Sequence, residues 1–368
     1  MTTHAEPRPR TGALVETLPA SYYTDPTILE IEQKEIFAKT WQYVGTVDAL
    51  AKPGDYITTT LVDTPIIVSR SRDGVHAMVN VCRHRFSEVA SGCGNTRAFK
   101  CPYHAWTYGL DGTLVGAPRS EQIDDFDKSQ LPLTKLPVAV WGPLVFVSLN
   151  PQVGAFQDWI GPVEASLREA NVNFESLTLR KRTTFDIAGN WKIVAENYLE
   201  CYHCLVAHPN YSRTFDTSAL GYTFATDAHT FISNTAPQDR VLHDAAAAPY
   251  KADGPIGVNQ NDYVWPNFAP MTWPGQNNLL IYSFRPTAVD HTIGYFDYFF
   301  GPDSDPDVER DFMAFLDEVG AEDVPLIESV QRGMASGLID TGRLVPDENQ
   351  IEHFQKLTRD AIHGGSAR

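Results

Sequence analysis

Cysteine is scarce in this chain: five residues among 368, an odd number. That is too few for a disulfide framework, so Cys82, Cys93, Cys101, Cys201 and Cys204 are expected to be cytosolic thiols or metal ligands. Long apolar runs are missing as well. Nothing reaches the roughly 18 apolar residues of a membrane span, and Met1–Leu18 is mostly polar and carries no apolar signal-peptide core. Basic residues are outnumbered, 29 against 46 acidic, for a formal charge of −17, which argues against a nucleic-acid or anionic-membrane surface. No Gly-x-Gly-x-x-Gly follows a strand, and no flavin or plant-type ferredoxin pattern occurs, so the chain lacks a visible means of oxidising a nicotinamide itself. Repeats and low-complexity tracts are absent too. These gaps leave a cytoplasmic protein of two or three domains, with no nucleic acid and no membrane as partner.

What is present is local and dense. Residues 1–20 read as a flexible lead, and Thr24–Trp41 reads as an amphipathic helix opened by Asp25-Pro26. Short strand-like runs follow at Trp41–Thr46, Asp55–Leu61, Thr64–Ser69 and His76–Val81, parted by turn signals such as Pro53-Gly54-Asp55. That rhythm predicts a small β-sandwich, ending near Asn150-Pro151. A helix over 155–170 and an extended run over 176–189 come next. Residues 210–300 are rich in aromatics, with alternation at Leu279–Phe284 and Thr292–Phe300 that predicts antiparallel strands. The segment 233–260 reads as a mobile flap, and Val308–Val319 and Glu322–Ser336 as two helices. The class is α+β, divided as 1–40, 41–150 and 151–368.

Two pairs of metal-binding residues sit on the predicted sandwich: Cys82-Arg83-His84, and after sixteen residues Cys101-Pro102-Tyr103-His104. A zinc site usually pairs Cys with Cys and His with His. Here each loop offers one of each, so two thiolates can take one metal and two imidazoles another. This division suits a Rieske 2Fe–2S centre, in which histidines replace two cysteines on one iron. Cys93 matches no ligand position.

Downstream, Asn190 to His208 packs Glu196, Asn197, Glu200, His203 and His208 into one segment without Gly or Pro, which predicts a helix. Glu200 and His203 then share a face. His203 and His208 fall about 140° apart on a regular helix and could not chelate one ion from it. Pro209, however, disfavours helical geometry at His208. A carboxylate from elsewhere would complete two histidines and one carboxylate, the open-sided site of non-haem Fe(II) oxygenases. Asp317, Glu318, Glu322, Asp323 and Glu328 are candidates. Asp323 would share an inward face with Leu326, Ile327 and Val330. Cys201 and Cys204 would lie mid-helix as buried structural thiols.

The segment CRHRFSEVASGCGNTRAFKCPYHAWTYGLDGTL resembles the cluster motif of Rieske non-haem iron oxygenases, and ENYLECYHCLVAHP resembles their mononuclear-iron motif. One residue departs: family members usually carry a small residue after Cys-x-His-Arg, where this chain has Phe86. The resemblance implies a small all-β Rieske domain (β-sandwich) and a catalytic domain with a central antiparallel sheet flanked by helices. It implies the cluster on Cys82, His84, Cys101 and His104, and Fe(II) on His203, His208 and Asp323. O2 would be co-substrate, with electrons from NAD(P)H through a separate reductase, with or without a ferredoxin. It also implies a ring-shaped homotrimer, in which Glu200 links His203 to His104 of the next subunit and Asn197 and Glu196 stand behind the ligands. Glu rather than Asp at 200 is more similar to members that hydroxylate or demethylate small substrates, methylammonium compounds among them, than to ring-dihydroxylating ones. Arg213, Arg240 or Arg285 would serve a carboxylated substrate if they lined the pocket. Competing readings are an electron carrier that uses only the cluster, and a zinc or iron sensor.

Overall fold

The computed structural model describes residues 12–218, 222–238, 241 and 248–364, with 222–224 as backbone alone. Residues 1–11 of the expected lead, Arg240 and part of the expected flap lie outside the described residues. The chain divides into two compact units, parted between Glu32 and Gln33 and between Phe156 and Gln157.

In the unit 33–156, Asp55–Leu61, Thr64–Arg70 and Val75–Val79 pair antiparallel, with Cys93–Asn95 and Lys135–Leu136 at the edges. Alternation along the middle strand splits its side chains between two cores. Ile66 and Val68 pack with Val145 and Val147 of a three-stranded sheet made by Gln42–Thr46, Val138–Trp141 and Leu144–Val147. Ile67 points the other way, into a core shared with Met78, Cys82, Cys101 and Tyr108. That second core lies under a small third sheet, Phe99–Lys100, Thr107–Tyr108 and Leu114–Gly116. The expected sandwich is therefore extended by a third sheet, which carries one of the two Cys–His loops.

The other unit is built on a seven-stranded antiparallel sheet. Six strands from Tyr222–Asp227 to His291–Phe300 follow one another as a meander, and Thr178–Ile187 pairs beyond the last. Register aligns Ser233 with Asn261, Asn261 with Met271, and Met271 with Leu280, while Tyr282 pairs with Phe296. Cross-strand partners point to the same face, so these residues make one continuous floor. The helix Trp191–Tyr198 and the long helix Pro306–Ala335 contribute the opposing wall. Among the described residues no helix is long and apolar enough to cross a membrane.

Three helical expectations need correction. The helix read over Thr24–Trp41 is Ser21–Thr24 and Pro26–Glu32, followed by a π turn at Gln33–Phe37. Asp25 is extended, as the residue before Pro26 should be. The two late helices are one, continuous through Gly320 and Pro325. Gly320 continues it because tertiary packing overrides its low propensity: a Cβ there would lie 2.8 Å from Phe185 and 3.0 Å from Phe296. The helix over 190–208 is broken into Trp191–Tyr198 and Cys204–Ala207, and a separate helix, Pro209–Thr214, begins just beyond it.

Candidate active site

That last break positions the histidines. Asn190 caps the first helix, its side chain accepting from Lys192 N at 2.9 Å. The buried Glu32 carboxylate anchors the same turn, accepting from Trp191 Nε1 at 2.7 Å and Lys192 Nζ at 2.6 Å. The helix stops at Leu199. Beyond it the Glu200 carboxylate accepts from the backbone N–H of Tyr202 and of His203, replacing the helical bonds those groups would otherwise make. Cys201 and Cys204 are joined by a disulfide across this turn, which corrects the expectation of buried free thiols in mid-helix. His208 sits at φ −120° and ψ 73°, off the helical basin and ahead of Pro209.

With the helix interrupted, both rings turn inward. Nε2 of His203 and Nε2 of His208 are 3.1 Å apart. Asp323 Oδ1 lies 3.5 Å from the first and 3.1 Å from the second. The three donors fall within 4.8 Å of one another, a fit to one cation with two nitrogens and an oxygen. Each outward nitrogen meets a carboxylate: Glu200 Oε1 at His203 Nδ1, and Glu322 Oε2 at His208 Nδ1, 2.8 Å away. Asn197 Nδ2 donates to Asp323 Oδ1 at 3.1 Å.

The electrostatics follow from this crowding. Burial alone would lower the His203 imidazole, yet the Asp323 and Glu200 carboxylates lift it to about 10. Burial would raise Asp323, but hydrogen bonds from His203 and His208 hold it down to about 2. A cation would take the place of the protons these groups otherwise share.

Of the acids read as candidate ligands, only Asp323 joins the histidines. Glu322 stands behind His208, a role not read from the sequence, although its place beside Asp323 was the available signal. Asp317 accepts from Tyr298 OH at 2.7 Å, Glu318 from Asn210 Nδ2 at 2.8 Å and Glu328 from Ala188 N at 3.2 Å. The inward face expected for Asp323 holds only for Ile327, since Leu326 and Val330 are exposed.

Beside the three donors lies a cavity faced by Tyr198, Tyr211, Trp273, Tyr282 and Phe296. Among the described residues that line it there is no Lys or Arg. Arg213 reaches Asn210 and Arg285 reaches Tyr295 OH, and neither borders the cavity.

In the other unit the two loops are built alike. Phe86 N donates to Cys82 O and Ala105 N to Cys101 O, each at 3.0 Å, so each cysteine opens a five-residue turn. Cys82 and Cys101 are buried, and the exposed rings of His84 and His104 meet edge-on at 4.5 Å between centroids. Trp106 stacks on His84, and Tyr108 OH lies 3.3 Å from Cys82 Sγ. Two inward sulfurs and two outward imidazoles fit a cluster whose irons have different ligands.

Two family models match: "Rieske [2Fe-2S] domain" over residues 40–130 and "Ring hydroxylating alpha subunit (catalytic domain)" over 174–364. The carnitine monooxygenase oxygenase subunit of Acinetobacter pittii is 31% identical over 355 residues, covering 93% of each chain. The chloroplastic choline monooxygenase of Spinacia oleracea is 35% identical over 354 residues, covering 92% of this chain and 76% of its own. The crystal structure of the quaternary ammonium Rieske monooxygenase CntA in complex with L-carnitine superposes with a TM-score of 0.81 at 28% identity, covering 95% of this chain and 96% of that one.

Proposed function

The chain belongs to the Rieske non-haem iron oxygenases, and from that premise we propose that it is a monooxygenase of small methylated ammonium compounds. It is a terminal oxygenase component that carries a Rieske cluster and a mononuclear iron, and a separate reductase supplies its electrons. When bound, the cluster delivers electrons and the iron activates O2 beside the substrate.

In our reading Cys82, His84, Cys101 and His104 hold the cluster, with the Tyr108 hydroxyl hydrogen-bonded to the Cys82 sulfur to tune it. His203, His208 and Asp323 hold the iron. Glu200 and Glu322 keep each imidazole protonated at Nδ1, which leaves both Nε2 lone pairs free for the metal. Asn197 fixes the Asp323 oxygen that faces both rings. Subunits associate head to tail, as a trimer in the cytoplasm, and Glu200 joins His203 to His104 of the next copy.

One observation carries the substrate class: the aromatic side chains that line the cavity beside the His–His–Asp set, with no cation among the described lining residues. Aromatic faces attract a methylammonium group by about 0.5–2 kcal/mol each. An uncharged arene would fit the same faces, and ring cis-dihydroxylation is the second reading. A panel of methylammonium compounds, aromatic acids and alkoxyarenes, run with a surrogate reductase and isotopic O2, separates the two. Oxygen insertion into a methylammonium substrate is expected. A cis-diol from an arene, with no methylammonium turnover, overturns the proposal. Absence of any substrate-dependent O2 uptake would favour an electron carrier.

A further inference from the structure

Phe86 is anomalous twice. Its backbone lies in the left-handed region at φ 58°, where a residue with a Cβ is strained and glycine is not. Its ring is also 84% exposed, so burial does not offset that strain. The matching place in the other cluster loop, Ala105 at φ 61°, carries the same backbone with only a methyl group. The turn thus accepts a small residue, and the phenyl ring serves something other than the turn. Around it the loop tip is cationic, with Arg83 and Arg85 exposed.

A complementary surface exists on the same chain. Tyr202, Leu205 and Val206 are 64%, 66% and 89% exposed, three large apolar side chains within five residues of sequence around His203. Such a cluster on a protein surface marks an interaction site. Carboxylates gather at the two histidines of the same segment: Glu200 on His203, Glu322 on His208, Glu348 interacting electrostatically with Glu200 and His203, and next to it in sequence the exposed Asp347.

We propose that Phe86 anchors a second copy of this chain, its ring seated on Tyr202, Leu205 and Val206 of that copy while Arg83 and Arg85 face the carboxylate rim. The inference rests on the head-to-tail association proposed above and goes beyond it, since it gives one non-ligand residue the task of holding cluster and iron sites together. A strained position is kept where a side chain is needed for contact, and opposite charges orient the approach.

Phe86→Gly tests this with effects of opposite sign. It removes the ring and relieves the backbone, so thermal stability of the holoprotein should hold or rise and the cluster's visible spectrum should be unchanged. Self-association, followed by sedimentation over serial dilution, should weaken at least tenfold, and single-turnover electron transfer from cluster to iron should slow. Val206→Ser should do the same, and the double variant should be no worse than the weaker-associating single, because both remove one contact. Multiplying losses would show that the two residues do not meet. Wild-type association in Phe86→Gly overturns the anchor and leaves the head-to-tail reading standing. Normal association with slowed turnover only when a reductase is the donor would assign the ring to the reductase and overturn the proposal. A wild-type protein that is monomeric at every concentration and still turns over would overturn both.

Discussion

Glu322 Oε2 lies 2.8 Å from Nδ1 of His208, while the adjacent Asp323 puts Oδ1 3.1 Å from Nε2 of the same ring. Two consecutive helical residues thus grip one imidazole at opposite nitrogens. Loss of such an outer partner lowers metal affinity by about 10–100-fold. Glu322→Ala is expected to retain the Rieske spectrum yet release iron at correspondingly lower chelator concentration, with Glu322→Gln intermediate. Metal analysis after graded dialysis measures it. Iron retention equal to wild type would mean the ring is fixed by its surroundings alone.

Glu200 carries more than its ring contact, because its other oxygen also accepts from the Tyr202 and His203 backbone. Glutamine can still accept through one oxygen but has no charge to stabilise a protonated partner on the next copy, the role proposed for Glu200 above. Glu200→Gln is therefore expected to hold both metals and to slow electron transfer from cluster to iron by one to two orders of magnitude. Rapid-mixing single turnovers give the rate. An unchanged rate with full metal content would remove Glu200 from the route.

The paired Cys–His candidates were legible in the sequence because such donors must recur at spacings a short loop can deliver, whereas Asp323, far from the histidines in sequence, stood out from the other acids only by resemblance. Cys82 with His84 and Cys101 with His104 needed no knowledge of packing. The 190–208 segment was only half legible. Its composition favours helix, and what breaks the helix is a side-chain carboxylate at Glu200 competing for backbone donors, together with the Cys201–Cys204 bond; neither leaves a periodicity signal. The break read between Val319 and Glu322 erred in the other direction, since the fit of Gly320 against Phe185 and Phe296 is a tertiary fact.

That fit has a testable consequence. Alanine is the better helix former by about 1 kcal/mol, so local propensity predicts that Gly320→Ala stabilises. The new Cβ, however, would fall 2.8 Å from Phe185 Cζ and 3.0 Å from Phe296 Cε2. Those two rings already meet edge-on at 4.9 Å, so neither moves without disturbing the other. Overpacking costs about 1–3 kcal/mol and should win. Because Phe296 lines the cavity, the expected result is a lower melting temperature with a raised KM and intact cluster absorbance. A variant more stable than wild type would show that the rings yield freely.

Glu196, expected behind the iron ligands, instead accepts from Tyr23 OH and Gln355 Nε2, and it offers a pH test. Burial pushes its carboxyl from 4.5 to about 7, against hydrogen bonds from Tyr23 and Gln355 and the charge of Lys192, all of which pull it down. The folded state thus holds a proton that the unfolded chain releases earlier. This contribution to stability is fully present below about pH 4.5 and is lost as pH rises to about 7, a change of roughly 3 kcal/mol. Glu196→Gln keeps an oxygen able to accept from Tyr23 and Gln355 and has nothing to titrate. Urea unfolding of the holoprotein, repeated between about pH 5 and 8, isolates the group as the difference between the two stability curves. The variant should gain on wild type steadily as pH rises through that window and hold its advantage above it. Parallel curves would show that Glu196 ionises at the same pH folded and unfolded, so that Tyr23, Gln355 and Lys192 together cancel the effect of burial.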